Sequence, residues 1–228
     1  MNNKEILLTP IKKNVSNWDI KLNDKNGLKY FTIKNIYSPK EEDIFLKFFS
    51  SIKNQLLSPE GSGTATTEGV ALKENKAVYC NELPSYPKII GDIEKKLSIY
   101  ADKFFELTEK KENDMYSLLP THINQVNSLI SYYNKDNNNY KPHRDGSIFT
   151  FLAWYNEGET NFSGGEFCLP EYNITIKCVN NTGVLFPGRV LHEVKPVKIL
   201  DPSKNKGRIT ISTFLALNLK HPSESVYN

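Results

Sequence analysis

Tyr140-Lys141-Pro142-His143-Arg144-Asp145 opens the stretch that decides the fold, and Phe186-Pro187-Gly188-Arg189-Val190-Leu191-His192 closes it. Between them lie apolar or alternating runs at 148–155, 166–169, 174–179 and 183–186, punctuated by Gly and Asn. Short runs bounded by turn residues read as β-strands: side chains alternate faces along a strand, and Gly and Asn tolerate the backbone conformations that reverse the chain. Working outward, Ile123, Val126, Leu129, Ile130 and Tyr132 fall in one or two further strands, with a polar turn at 136–139 leading into the Pro142-His143 step. On the other side, a polar loop at 200–206 precedes a last strand at 208–217, and the tail at 221–228 frays.

Nearer the N-terminus the period becomes helical. Ser38-Pro39-Lys40-Glu41 is a capping box with Pro at the first helical position, and Ile44, Phe45, Phe48, Phe49 and Ile52 recur at helical spacing, which predicts a helix over 39–57. A second is predicted over 88–107, with Ile89, Ile90, Ile93, Leu97, Tyr100, Ala101, Phe104 and Phe105 on its inner face. These aromatics belong to a packed core rather than to a cofactor box. Short extended pieces at 28–33 and 77–80 accompany the helices, and the Gly, Ser and Thr of 58–67 read as a mobile loop, either a plain connector or, from its place before the 140–192 stretch, a lid. The expected architecture is one α+β domain over 1–228: mainly helical support at 1–120, then an antiparallel double-stranded β-helix, or jelly roll, at 121–220.

Composition excludes several classes. A formal net charge of +3 gives no pronounced attraction for nucleic acid or an anionic membrane. No apolar run has the length of a signal peptide or a membrane span, so the expected compartment is cytoplasmic or nuclear. Cys80, Cys168 and Cys178 show no C-x-x-C spacing, so they read as free thiols rather than zinc ligands; Cys168 and Cys178 are close enough in sequence to meet across adjacent strands as a bridge.

His143 and Asp145 are two apart, so on a strand they leave the same face. With His192 they make two imidazoles and one carboxylate, the donor set that leaves open positions opposite on a non-haem Fe(II) ion. Arg208 begins the last strand with Thr210 and Ser212 on its own face. A planar guanidinium beside a hydroxyl suits a carboxylate, since the fork binds both oxygens and the hydroxyl adds a third hydrogen bond. An isolated H-x-D is weak evidence, and the bland reading is a hydrogen-bonded surface pair; the companions shift the balance.

Together these pieces resemble the 2-oxoglutarate and Fe(II)-dependent dioxygenases, nearest to the catalytic domains of procollagen lysyl hydroxylases and prolyl 4-hydroxylases. The resemblance rests on Tyr132-Tyr133, Pro142 to Thr150, Gly164-Gly165-Glu166-Phe167, Pro187 to His192 and Gly207-Arg208-Ile209-Thr210. It implies His143, Asp145 and His192 as iron ligands. It implies Arg208 and Thr210 as partners of the distal 2-oxoglutarate carboxylate, helped by Tyr132 or Tyr133, which a one-residue slip would exchange. The implied cofactors are Fe(II), 2-oxoglutarate as cosubstrate and O2, with ascorbate admitted beside them. The implied reaction is hydroxylation, since halogenating relatives replace the carboxylate ligand that Asp145 supplies, and the implied partner is a protein or peptide presenting lysyl or prolyl side chains. Arg208, where prolyl hydroxylases usually carry Lys, leans toward the lysyl branch; the segment between His192 and Arg208 is longer than the family's.

Three alternatives stand beside this reading. A nucleobase oxidase or demethylase would carry a further arginine that 209–219 lacks; a small-molecule hydroxylase acting on free amino acids would share the chemistry; a catalytically silent jelly roll would be a binding module. Gly164-Gly165 and Pro187-Gly188 read as turns beside the site, Arg189 as an anion contact or a structural ion pair, Arg144 as solvated, Phe151 and Trp154 as barrel core, and His122 and His221 as ordinary polar residues.

Overall fold

The structure is a computed structural model that describes residues 17–63, 65–108, 115–119 and 122–217; the calls on His221 and the tail lie outside these residues. In chain order, β1 (Asp19–Lys25) and β2 (Leu28–Lys34) precede α1 (Pro39–Ile52); β3 (Thr66–Thr67), β4 (Val70–Ala71) and β5 (Lys76–Tyr79) precede α2 (Lys88–Ile99) and α3 (Ala101–Leu107). Then follow β6 (Gln125–Tyr133), β7 (Tyr140–His143), β8 (Phe149–Asn156), β9 (Phe162–Gly164), β10 (Phe167–Leu169) and β11 (Ile174–Ile176). The last four are β12 (Thr182–Pro187), β13 (His192–Val194), β14 (Val197–Ile199) and β15 (Arg208–Ala216).

The strands build a double-stranded β-helix. A seven-stranded sheet runs β1-β2-β12-β8-β15-β6-β5 and faces a four-stranded sheet ordered β11-β10-β13-β7, with β14-β9 pairing at the deep end and β3-β4 as a separate hairpin. The large sheet is buried on both sides, which is why β8, Phe-Thr-Phe-Leu-Ala-Trp-Tyr-Asn, is almost uniformly apolar instead of alternating. Its outer face packs Ile130, Tyr132, Phe151, Tyr155, Ile209 and Ile211 against Phe45, Phe49, Ile90, Ile93 and Phe104 of the helices. Its inner face, with Tyr133, Leu152, Trp154, Val184 and Phe186, meets Phe167, Leu169, Ile174 and Val194 of the small sheet.

The capping box of α1 forms as read: the Ser38 hydroxyl accepts from Glu41 N, and the Glu41 carboxylate accepts from Ser38 N at 2.7 Å. Glu41 also accepts from the buried Lys96 ammonium at 3.1 Å, tying α1 to α2. Four expectations need correction. The N-terminal part is not mainly helical, because β1, β2 and β5 extend the large sheet. The helix expected over 88–107 breaks at Tyr100, whose ring stacks on Trp18 at 5.3 Å while its hydroxyl accepts from Trp18 N, a tertiary anchor that outweighs helix continuity. The segment 58–67 contains a 3-10 turn at Pro59–Gly61 and enters the β3-β4 hairpin. Cys168 and Cys178 form no bridge; Cys168 lies beside Thr175, and the Cys178 thiol donates to Gly165 O at 3.2 Å.

Candidate functional site

Between the two sheets lies a cavity of about 480 Å³. Its floor follows β6 and β15, which pair so that Tyr133 opposes Arg208, Ser131 opposes Thr210, Leu129 opposes Ser212, Asn127 opposes Phe214 and Gln125 opposes Ala216. The rung at Arg208 is fully buried and Gln125 is exposed, so the floor runs from the protein interior to solvent. His143, Asp145 and His192 stand on one wall, and Gly63, Ala65 and Tyr79 also line the cavity.

Antiparallel pairing of β7 and β13 sets His143 directly across from His192. Asp145 lies just past the end of β7 rather than on the strand; Asp145 N donates to Gly188 O at 2.9 Å, and the carboxylate accepts from the Thr150 hydroxyl at 2.5 Å. Pro187-Gly188 therefore does turn the chain beside the site. One ligand atom from each of the three residues lies within 4.8 Å of the others. The Asp145 oxygens are 3.6 Å from His143 Nε2 and 3.5 Å from His192 Nε2.

Each ring is aimed by its own strand. His143 Nδ1 meets Lys141 O at 2.8 Å and His192 Nδ1 meets Val190 O at 2.8 Å. A carbonyl partner requires the proton on Nδ1, which leaves both Nε2 lone pairs facing Asp145. Burial pushes both imidazoles down to about 4, so both are neutral donors at pH 7; burial pushes the Asp145 carboxyl up, opposed by the Thr150 hydrogen bond. Tyr140 stacks on His143 with ring centroids 3.6 Å apart, and Phe186 meets His192 edge-on at 5.0 Å. Tyr140 and Thr150 stand within the quoted sequence motif but had no role read from it; their spacing from His143 and Asp145 was the available signal.

Arg208 is 0% exposed. Its Nη1 donates to Gly165 O, its guanidinium lies 4.3 Å from the centre of the Tyr133 ring, and Nε and Nη2 have no protein partner. The buried Thr210 hydroxyl beside it also lacks one. Gly165 has φ +72, and a Cβ there would lie 2.8 Å from Arg208 Nη1, so glycine is what lets the chain pass the guanidinium. Three orphaned polar atoms at the deep end of a cavity fit a carboxylate, and the two-His, one-carboxylate donor set with a remaining open side fits Fe(II).

The two tyrosines separate cleanly. Tyr133 lines the cavity, whereas Tyr132 points to the outer face, where its hydroxyl donates to Glu157 with Asn205 O also within 3.2 Å. Tyr132 is therefore corrected to a structural residue. Trp154 also lines the cavity, while Phe151 belongs to the outer core as read. Arg144 is not simply solvated: it pairs with Glu171 at 2.6 Å and donates to Arg189 O, leaving the Arg189 side chain exposed.

Residues 128–216 match the family described as the 2OG-Fe(II) oxygenase superfamily. No curated protein matches the sequence. Among solved structures, the chain is similar to the viral collagen prolyl hydroxylase of Paramecium bursaria Chlorella virus-1 in its 2OG complex, at 18% identity and TM-score 0.52, covering 82% of this chain and 96% of that one. It is also similar to a Trichoplax adhaerens prolyl hydroxylase in complex with a hypoxia inducible factor peptide fragment, at 16% identity and TM-score 0.54, covering 81% and 83%. A prolyl-4-hydroxylase from Pseudomonas putida matches at 11% identity and TM-score 0.51, covering 83% and 92%. At these identities the likeness is one of fold.

Proposed function

We propose that this chain, whose residues 128–216 match the 2OG-Fe(II) oxygenase superfamily, is a 2-oxoglutarate-dependent dioxygenase that hydroxylates a lysyl or prolyl side chain of a protein. Fe(II), 2-oxoglutarate and O2 together supply an oxidant strong enough to break a C–H bond, with succinate and CO2 as coproducts. His143, Asp145 and His192 hold the ion. Arg208 and Thr210 hold the distal carboxylate of 2-oxoglutarate, and Tyr133 backs the guanidinium with its ring.

The rest of the chemistry assigned to this chain is positioning. Thr150 keeps Asp145 ionised and oriented by donating to it, and the carbonyls of Lys141 and Val190 keep each imidazole presenting Nε2. Tyr140, Phe167 and Phe186 wall the rings from water, which strengthens every polar contact inside.

The observation that carries a polypeptide substrate is the floor of the cavity beyond Ser212. Leu129, Asn127, Phe214, Gln125 and Ala216 continue it outward to solvent, so a side chain can reach the triad while its own backbone stays at the rim. The two prolyl hydroxylases above that carry a collagen or peptide description support the same class. Incubation with Lys-rich and Pro-rich peptides, Fe(II) and 2-oxoglutarate is expected to yield peptide heavier by one oxygen in step with succinate. Succinate without peptide oxidation, or oxidation of a free amino acid or a nucleobase in its place, overturns the polypeptide assignment.

A further inference from the structure

Two buried polar side chains beside the cavity have no part in the reading above. Lys73 is 1% exposed and Asn75 0%, and neither the Lys73 ammonium nor either polar atom of the Asn75 amide has a hydrogen-bond partner. They sit where the chain crosses from one sheet to the other. Lys73 bridges Tyr140 beside the small sheet, flanked by Lys141 N to Leu72 O at 2.8 Å and Glu74 N to Asn139 O at 3.0 Å. Three residues later, Lys76 pairs with Tyr132 at the edge of the large sheet.

That crossing fixes the direction of both side chains. Directly opposed residues of an antiparallel pair project to the same face. Lys73 therefore leaves the backbone on the side of Tyr140, which lines the cavity and stacks on His143. Burial alternates, with Lys73, Asn75 and Ala77 inward and Glu74 and Lys76 outward; Ala77 opposes Ser131, another cavity residue.

An ammonium taken from water without an acceptor is unfavourable, and among the described residues none accepts from it. The carboxylate whose charge reaches it is that of exposed Glu82, and burial pulls the amine down to about 8. Two buried cations with unused donors, Arg208 and Lys73, therefore stand beside the chamber, and the cosubstrate read from Arg208 and the triad is a dianion with a carboxylate at each end.

We propose that Lys73, with the Asn75 amide beside it, is a second anion-recognition position of this chamber, serving the carboxylate of 2-oxoglutarate that Arg208 does not hold. The proposal rests on the cosubstrate reading given above. Arg208 fixes one end of the dianion, and Lys73 balances the charge of the other and selects a dicarboxylate against a neutral keto compound.

Calorimetric titration of 2-oxoglutarate into the Mn(II)-loaded protein tests it, using wild type, Lys73→Met, Lys73→Gln and Arg208→Met. Lys73→Met is expected to bind at least about tenfold more weakly, the value of one hydrogen bond to a charged group. The same variant without cosubstrate is expected to melt no lower than wild type, because it removes an unpaired buried charge, an outcome opposite to that of a merely structural lysine. If Lys73→Met does not fold, the same weakening is required of Lys73→Gln. Unchanged affinity in the folded Lys73 variants, beside weakened Arg208→Met, overturns this proposal and leaves the cosubstrate reading intact. Absence of binding by wild type overturns both.

Discussion

The two faces of the large sheet use the same strands for opposite purposes. Toward the helices, β6, β8 and β15 present Ile130, Tyr132, Phe151, Tyr155, Ile209 and Ile211, and the rings pair closely, Phe49 with Tyr132 at 5.0 Å and Phe45 with Tyr155 at 4.8 Å. Toward the small sheet, β6 and β15 present Ser131, Tyr133, Arg208, Thr210 and Ser212, of which Arg208 and Thr210 hold unpaired polar atoms. Neighbours in sequence thus belong to different economies: one face is closed on itself, the other is left open to a ligand. Stability is expected to reside in the first and chemistry in the second, a division that substitutions can test.

The largest expected effect is on the inner side. Asp145→Ala removes a carboxylate proposed to hold the ion, and since loss of a residue that only orients a metal ligand costs 10–100-fold, succinate formation should fall by more than about a hundredfold, measured by single turnover. Phe49→Ala, on the helical face, should cost about 3–5 kcal/mol in denaturant melts while leaving the 2-oxoglutarate affinity of the folded protein unchanged. Loss of affinity there would break the division. Arg208→Met should weaken 2-oxoglutarate binding by about 1.5–3 kcal/mol, roughly ten- to a hundredfold, as read by calorimetry.

The tyrosine pair sharpens the contrast. Tyr132→Phe should cost about 1 kcal/mol of stability with no change in 2-oxoglutarate affinity. Tyr133→Leu, which removes the ring behind the guanidinium, is expected to weaken 2-oxoglutarate binding, and matching effects on affinity from both would erase the distinction. A separate effect concerns acid. His143 and His192 are held at about 4 against an ordinary 6.5, so the unfolded chain takes up protons that the fold refuses. Metal-free protein should then lose stability as pH falls from about 6.5 toward 4, with Asp145, raised by burial, acting in the opposite sense at its own lower range. A denaturation midpoint no lower at pH 5 than at pH 7 would contradict this.

Much of the inner face was legible because chemistry restricts it: few residue types other than His, Asp and Arg do what His143, Asp145, His192 and Arg208 are read to do, and their order is linear in the chain. What was not legible depends on parity and on tertiary contacts. Every residue from Ser128 to Tyr133 is buried, and the two serines, Ser128 and Ser131, fall on opposite faces, so neither exposure nor polarity marks which face is which; only the pairing of Arg208 with Tyr133 decides it. The break at Tyr100 carries no Gly or Pro, and its cause, Trp18, is far away in sequence. Lys73 drew no reading from the sequence because the crossing that buries it brings together segments that share no motif.

The Nδ1 contacts of the two histidines carry one last consequence. Lys141 O and Val190 O each lie two residues before the ring they hold, so both rings are locked by local backbone and not by whatever docks between them. Shape precedes cargo. A chelator should strip the ion and leave a receptor ready for reloading, with circular dichroism unchanged through many cycles of depletion and refilling.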